Sequence, residues 1–186
     1  MALKKDALAT THKIDTLFIE ACENAQLSVL ADLLCQYPDH DIASIRVAGC
    51  KTLLHLLAEG NTPEAEKDAQ MREAQLEVFT PMVALLLCSG LNVNSVDHRG
   101  MTCLHIAAQR GTGGFIGASL KRGADPHKKA RKGMTVLHFA ATNHNSPAWE
   151  ALLHALQDPI SFLQLRNKAG ASPSLLCSLV GNASGL

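Results

Sequence analysis

The sequence predicts an all-α solenoid of about four to five stacked helix–turn–helix units, forming a single domain over residues 1–186. Three observations predict it. A ten-residue segment returns at a fixed offset. Each copy carries the start and stop signals of a short helix and is followed by the pattern of a second one. The apolar content is Leu and Ala: hydrophobic residues are 47% of the chain and aromatic ones 4%. Such a composition favours close-packed helices over a β-sandwich, in which aromatic and β-branched residues lead.

The repeat is explicit in Arg99-Gly-Met-Thr-Cys-Leu-His-Ile-Ala-Ala108 and Lys132-Gly-Met-Thr-Val-Leu-His-Phe-Ala-Ala141, which agree at seven of ten positions with an offset of 33. Gly90 and Gly123 repeat the offset. A third copy runs from Thr52 to Gly60, and weaker ones run from Thr16 to Asn24 and from Ser172 to Gly181. In each, Thr or Ser opens a helix by accepting an orphan N–H of the first turn. Pro173 sits at the first helical position, where its missing N–H is harmless. Leu104, Ala107 and Ala108 lie at i, i+3 and i+4 on one face, and the small Ala pair admits a neighbouring helix closely. Gly60, Gly111 and Gly181 are expected to end first helices in the left-handed conformation, and Gly90 and Gly123 to end second helices in the same way. The second helices end in Leu33-Leu34, Leu85-Leu86-Leu87 and Leu152-Leu153. Hairpin-like fingers of about ten polar residues join the units, and no unit can bury its apolar face without a neighbour.

Taken in order, the units are about 14–48, 50–97 with an insertion, 100–130, 133–168, and a partial unit over 170–186. Thr16 opens the first. Its finger is irregular, because Cys50 stands where later fingers have Gly and Gly49 is displaced by one. The second unit is long: Thr52 to Thr102 is 50 residues, placing 17 extra near 62–78. There Thr62-Pro63, Glu64, Glu66 and an Ala/Glu/Lys/Gln-rich run predict an added or lengthened helix, and Thr80-Pro81 is expected to restart the ordinary second helix. In the third unit, the glycines after Gly111 fall in or beside the second helix, at a cost of roughly 1 kcal/mol each against Ala. That helix, around 113–120, is therefore expected to be the least stable, with small residues that admit the 62–78 segment. The fourth unit is extended around Asp158-Pro159 to Leu165. The fifth stops after its first helix: either this half-unit caps the stack, or the chain is the N-terminal part of a longer protein, the favoured reading because Leu175, Leu176, Leu179 and Val180 would otherwise lack a partner helix.

This pattern resembles the ankyrin repeat, with its 33-residue period and T-P-L-H-x-A-A signature. Gly123-Ala-Asp125 and Asn92-Val-Asn94 resemble the family's link into its finger, and Asp97-His-Arg-Gly100 resembles the D-x-x-G tip. The resemblance covers about 14–181 and is strongest over 85–156. It implies that His55, His105 and His138, which share one slot, bond within and between repeats. It also implies that partners are bound on a concave face built from finger tips and exposed first-helix positions. By register those positions are Leu56, Glu59, Ile106, Gln109, Arg110, Phe139, Thr142 and Asn143. Leu56, Ile106 and Phe139 would form an apolar stripe on that face; the alternative is that they pack between repeats.

Composition and motifs exclude other classes. The formal net charge is zero, so no global field draws the chain to nucleic acid or an anionic membrane. The N-terminus lacks the apolar stretch of a secretory signal, and no window reaches the roughly 18 apolar residues of a membrane span. The six cysteines are scattered, with no C-x-x-C pair, and read as small buried hydrophobes in a reducing compartment. Cys103-x-His105 lacks a second ligand pair at zinc spacing. Gly111-Thr-Gly-Gly-Phe-Ile-Gly117 puts Ile116 where a dinucleotide loop needs its last Gly, and no strand precedes it. No P-loop, nucleophile elbow or H-E-x-x-H occurs. No catalytic residue, metal or cofactor is expected.

His127-Lys-Lys-Ala-Arg-Lys132 concentrates charge in one finger, with Lys128, Lys129, Arg131 and Lys132 as four cations within six residues. It is either a solvated turn or a docking patch for an acidic protein segment, phospholipid or nucleic acid. With no interleaved aromatic, stacking on single-stranded nucleic acid is not expected. The leading functional expectation is a non-enzymatic scaffold that binds another protein, located in the cytoplasm. A compatible one is the targeting module of a larger protein such as a bacterial effector, working in a host cytoplasm or nucleus. The third is an acidic-lipid or nucleic-acid binder working through residues 127–132.

Overall fold

The computed structural model describes residues 2–60, 69–142, 146–156 and 163–183. Among them the regular elements are helical. First helices α1 (Ala2–Glu23), α3 (Leu53–Glu59), α5 (Cys103–Arg110), α7 (Val136–Thr142) and α9 (Pro173–Ala183) pack in sequence to form one layer. Second helices α2 (Leu27–Gln36), α4 (Ala69–Cys88), α6 (Gly113–Leu120) and α8 (Ser146–Ala155) pack in sequence to form the other. This is the predicted two-layer solenoid. Its core runs continuously between the layers, through Phe18, Leu30, Leu57, Met82, Leu104 and Phe115, all essentially inaccessible to water. Burying each such side chain stabilises the fold by about 1.5–3 kcal/mol.

The start and stop signals act largely as expected. Gly111 ends α5 with φ +87, and its N–H bonds to the Ala107 carbonyl. Gly90 and Gly123 follow second helices with φ +90 and +84. Gly60 and Gly181 depart from expectation. Gly181 lies inside α9, which runs on to Ala183. Gly60 has φ −52, a conformation open to any residue. What Gly60 supplies is room: a Cβ there would lie 2.7 Å from the backbone oxygen of Glu23 in the preceding repeat. Backbone cannot swing aside as a side chain can. Gly60→Ala is therefore expected to destabilise by about 2 kcal/mol, within the range for overpacking. A urea unfolding midpoint equal to the parent's would show that the repeats tolerate the shift.

Two helices are longer than the repeat pattern predicts. Helix α1 begins at Ala2, so Thr16 does not open it; the Thr16 hydroxyl bonds back to the Lys13 carbonyl within the helix. Helix α4 runs unbroken from Ala69 to Cys88 with Pro81 inside it. Thr80-Pro81 is thus no restart. Proline removes the N–H that would reach the Glu77 carbonyl, at a cost of about 3 kcal/mol in a helix interior. The flanking Phe79, Met82 and Val83 are all buried, which offsets that cost. The insertion therefore lengthens the second helix over the described part, 69–78. Residues 61–68, and the extension around Asp158-Pro159, lie outside the described residues.

Helix α6 carries Gly113, Gly114 and Gly117 and packs against both α4 and α8. Phe115 meets Phe79 of α4 edge to face, with ring centroids 5.6 Å apart. The cysteines divide. Cys22 and Cys103 are buried, and burial pushes both thiols up to about 12. Cys35, Cys50 and Cys88 are exposed, against the expectation of small core residues, because helix ends and a finger tip carry them to the surface.

Candidate functional site

Each of the last three fingers is positioned by a histidine of the preceding repeat. In the second repeat the Thr52 N–H donates to His55 Nδ1 at 3.1 Å, and the Thr52 hydroxyl lies 2.8 Å from the same nitrogen. Thr102 with His105, and Thr135 with His138, repeat this geometry. Since Nδ1 accepts from an amide, the ring proton sits on Nε2. Each Nε2–H then donates to a carbonyl of the next finger region: His55 to Met101 at 3.0 Å, His105 to Lys128 at 3.1 Å and His138 to Ala171 at 3.1 Å. Burial holds all three below their ordinary range, His105 at about 4, with the accepting carbonyls opposing the shift. The slot binds within and between repeats, as the resemblance implied.

The fingers are also joined backbone to backbone. His98 N–H donates to the Gly49 carbonyl, Arg131 N–H to that of Arg99, and Lys168 N–H to that of Lys132, at 2.9, 3.1 and 2.8 Å. Successive tips therefore lie side by side, residue 99 against 131 and residue 132 against 168. Within each finger a further bond closes the hairpin: Val47 to Lys51, Asp97 to Met101, Ala130 to Met134 and Asn167 to Ala171.

Two kinds of turn occur at the tips, and one side chain separates them. Asp97 Oδ1 accepts the N–H groups of Arg99 and Met101, both at 2.8 Å. Asn167 Oδ1 does the same for Ala169 and Ala171. Val47 and Ala130 occupy that slot in the other two fingers and have no acceptor. There the residue two places on takes positive φ, +82 at Gly49 and +62 at Lys132. An Asx oxygen that holds the amide keeps the turn right-handed; without it the turn takes the form with φ above zero at its third residue. Lys132 in that conformation costs roughly 1 kcal/mol. Ala130→Asp would give the Lys132 and Met134 amides an acceptor and is expected to raise stability by about 1 kcal/mol, or Tm by about 2–4 °C. A Tm equal to or below the parent's in a thermal melt would count against this account of the turn.

The structure sorts the expected binding residues. Leu56 and Ile106 are buried, at 4% and 3% exposure, and are not an exposed stripe. Six consecutive residues of α3, Leu53–Ala58, and six of α5, Cys103–Ala108, are all buried, so each helix is enclosed on every side by its own second helix and two neighbours. Phe139 is half-buried, its ring edge-on to His105 with centroids 5.5 Å apart. All three pack between repeats. Glu59 is half-buried and paired with Lys51 at 2.7 Å. Gln109, Arg110 and Thr142 are exposed at first-helix ends, and Asn143 lies outside the described residues.

Lys128 is structural: its Nζ donates to the Asn94 carbonyl at 3.1 Å while its own carbonyl holds His105. Lys129, Arg131 and Lys132 are exposed. The helix ends and the tips are not one cluster, since the eight residues of α5 set Arg110 about 12 Å along the axis from the finger end. What sequence reading missed is that Arg99 and Lys168 share the tip surface with Arg131 and Lys132. Laying the four fingers over one another would have found them. Tip residues 48–50, 98–100, 131–133 and 168–170 hold four Arg or Lys, one His and no carboxylate.

Residues 71–162 match the family model described as ankyrin repeats (3 copies). Dog (Canis lupus familiaris) inversin is 36% identical over 118 residues, covering 61% of this chain and 11% of inversin. Human (Homo sapiens) inversin matches to the same extent, 36% over 118 residues, again 61% and 11%. The inactive serine/threonine-protein kinase TEX14 of cattle (Bos taurus) is 31% identical over 106 residues, covering 57% of this chain and 7% of the kinase. The chain thus spans a small part of the length of these relatives. No described helix is long and apolar enough to cross a membrane.

Proposed function

Because this chain is an ankyrin-repeat protein, and such repeats generally mediate protein–protein interaction, we propose that it is a non-catalytic scaffold that takes a partner protein on its finger tips and first-helix ends. The observation that carries the reading is the backbone-bonded line of fingers, which presents exposed Lys129, Arg131 and Lys132 on a surface fixed from beneath by three buried histidines. A preorganised surface loses little entropy on binding, the main cost that weak interfaces fail to recover. Exposed thiols at Cys35, Cys50 and Cys88 fit a reducing compartment such as the cytoplasm. The short matches within long relatives fit a module working in a larger protein.

The test uses the chain as bait, beside a variant with Lys129, Arg131 and Lys132 changed to Ser and a second with Gln109, Arg110 and Thr142 changed to Ala. All three must melt alike. A protein retained by the parent and lost by the first variant places the contact on the tips; loss by the second places it on the helix ends. Retention unchanged by both sets removes the proposed face, and no specific retention removes the scaffold role.

A further inference from the structure

We propose that the finger tips of the last three repeats form a cationic rail for an extended acidic protein segment, with one acidic side chain read per repeat. The inference rests on the scaffold reading and specifies its partner. The rail is a juxtaposition that no single finger shows. The bond from Arg131 N–H to the Arg99 carbonyl sets Arg99 beside Arg131, and the bond from Lys168 N–H to the Lys132 carbonyl sets Lys132 beside Lys168. All four side chains are exposed, and Arg131, Lys132 and Lys168 form no ion pair with a carboxylate among the described residues. Arg99 faces buried Asp97 at 3.8 Å. The Oδ2 atom of Asp97 has no hydrogen-bond partner, so its charge draws on Arg99, and the rail is strongest at 131, 132 and 168.

Spacing selects the ligand. Stacked helices lie about 8–10 Å apart, so the tips above them recur at about that interval. A peptide in the extended polyproline II conformation advances about 3.1 Å per residue with three residues per turn, so every third side chain lies on one face and falls opposite a new repeat. A duplex carries a charge every ~1.7 Å, far denser than this rail, and the four cations here, one of them facing Asp97, stand at the low edge of the four to eight that an anionic membrane uses. The tip residues include no Phe, Tyr or Trp for a base to stack on and no large apolar side chain to enter a lipid surface. The zero net charge of the chain leaves recognition to this local field.

The test is a titration of the 15N-labelled full chain with two labelled synthetic peptides of equal composition. One carries four Glu at every third position in a Gly/Ser background, and the other carries the same four Glu as a block. The spaced peptide is expected to bind at least fivefold more tightly, with amide shifts concentrated at 98–100, 131–133 and 168–170. The double variant Lys132→Ser, Lys168→Ser is expected to weaken it about tenfold, roughly threefold per exposed ion pair. Equal affinity for the two peptides, shifts centred elsewhere, or tighter binding to single-stranded DNA or phosphatidylserine vesicles would overturn the proposal. Failure here leaves the scaffold reading intact if the bait experiment still retains a protein that the tip variant loses. Failure of both removes the face itself.

Discussion

Lowering the pH from about 7.5 to about 5 is expected to remove about 2 kcal/mol of stability through His105 alone. The cause is geometric. Nδ1 of His105 receives the Thr102 N–H, and Nε2–H is committed to the Lys128 carbonyl. A second ring proton would set donor against donor at Nδ1 and place a charge where no water reaches. The folded state therefore holds His105 neutral down to about 4, whereas the unfolded chain protonates it near its ordinary 6.5. Below 6.5 the unfolded state binds more protons, so stability falls with pH until about 4, to a total of about 3 kcal/mol. Above 6.5 the contribution is complete and flat. His55 and His138 shift in the same direction for the same reason and steepen the fall. Urea midpoints across that range check it. His105→Gln should be less stable near pH 7.5 but lose about 2 kcal/mol less on acidification. A stability that is level or rising towards pH 5 would contradict the neutral-histidine account.

Phe115→Ala is expected to cost about 3–5 kcal/mol and to split the unfolding of the stack. Phe115 is fully buried in α6, edge-on to Phe79 of α4. With three glycines among its eight residues, α6 has little helix propensity of its own, so packing must hold it. In a solenoid each repeat is stabilised by its neighbours, and α6 is the second-layer link between α4 and α8. Emptying the Phe115 site should therefore loosen the stack at its middle. Hydrogen exchange is expected to show α6 and α8 losing protection while α3 keeps its own. A single cooperative transition with a loss under about 1 kcal/mol would show that the cavity closes and that α6 is no weak link.

Much of the fold is legible because its signals are local. Thr followed three residues later by His states a complete hydrogen-bonding unit, since the residue at the cap and the one at the third helical position always meet. Gly90, Gly111 and Gly123 are legible for the same reason: positive φ is a property of one residue. Gly60 looks the same in sequence but answers to Glu23, a residue from the preceding repeat, so no local reading distinguishes the two roles. Pro81 likewise follows a local rule that neighbouring burial overrides.

The candidate site divides along the same line. Residue order alone determined that helix pairs repeat, where each first helix from the second repeat on begins, and that charge gathers near residues 127–132; the resemblance those residues carry added which histidines tie one repeat to the next. Only the tertiary structure decided which of those residues face water. Helical periodicity assigns each residue an angle about its own axis, but not how many neighbours surround that axis. Leu56 and Ile106 are buried because α3 and α5 are enclosed on all sides. Lys128 turns inward to Asn94. Arg99, Arg131, Lys132 and Lys168 become one surface because backbone bonds between fingers, invisible in residue order, bring together tips that are about 33 residues apart in the chain.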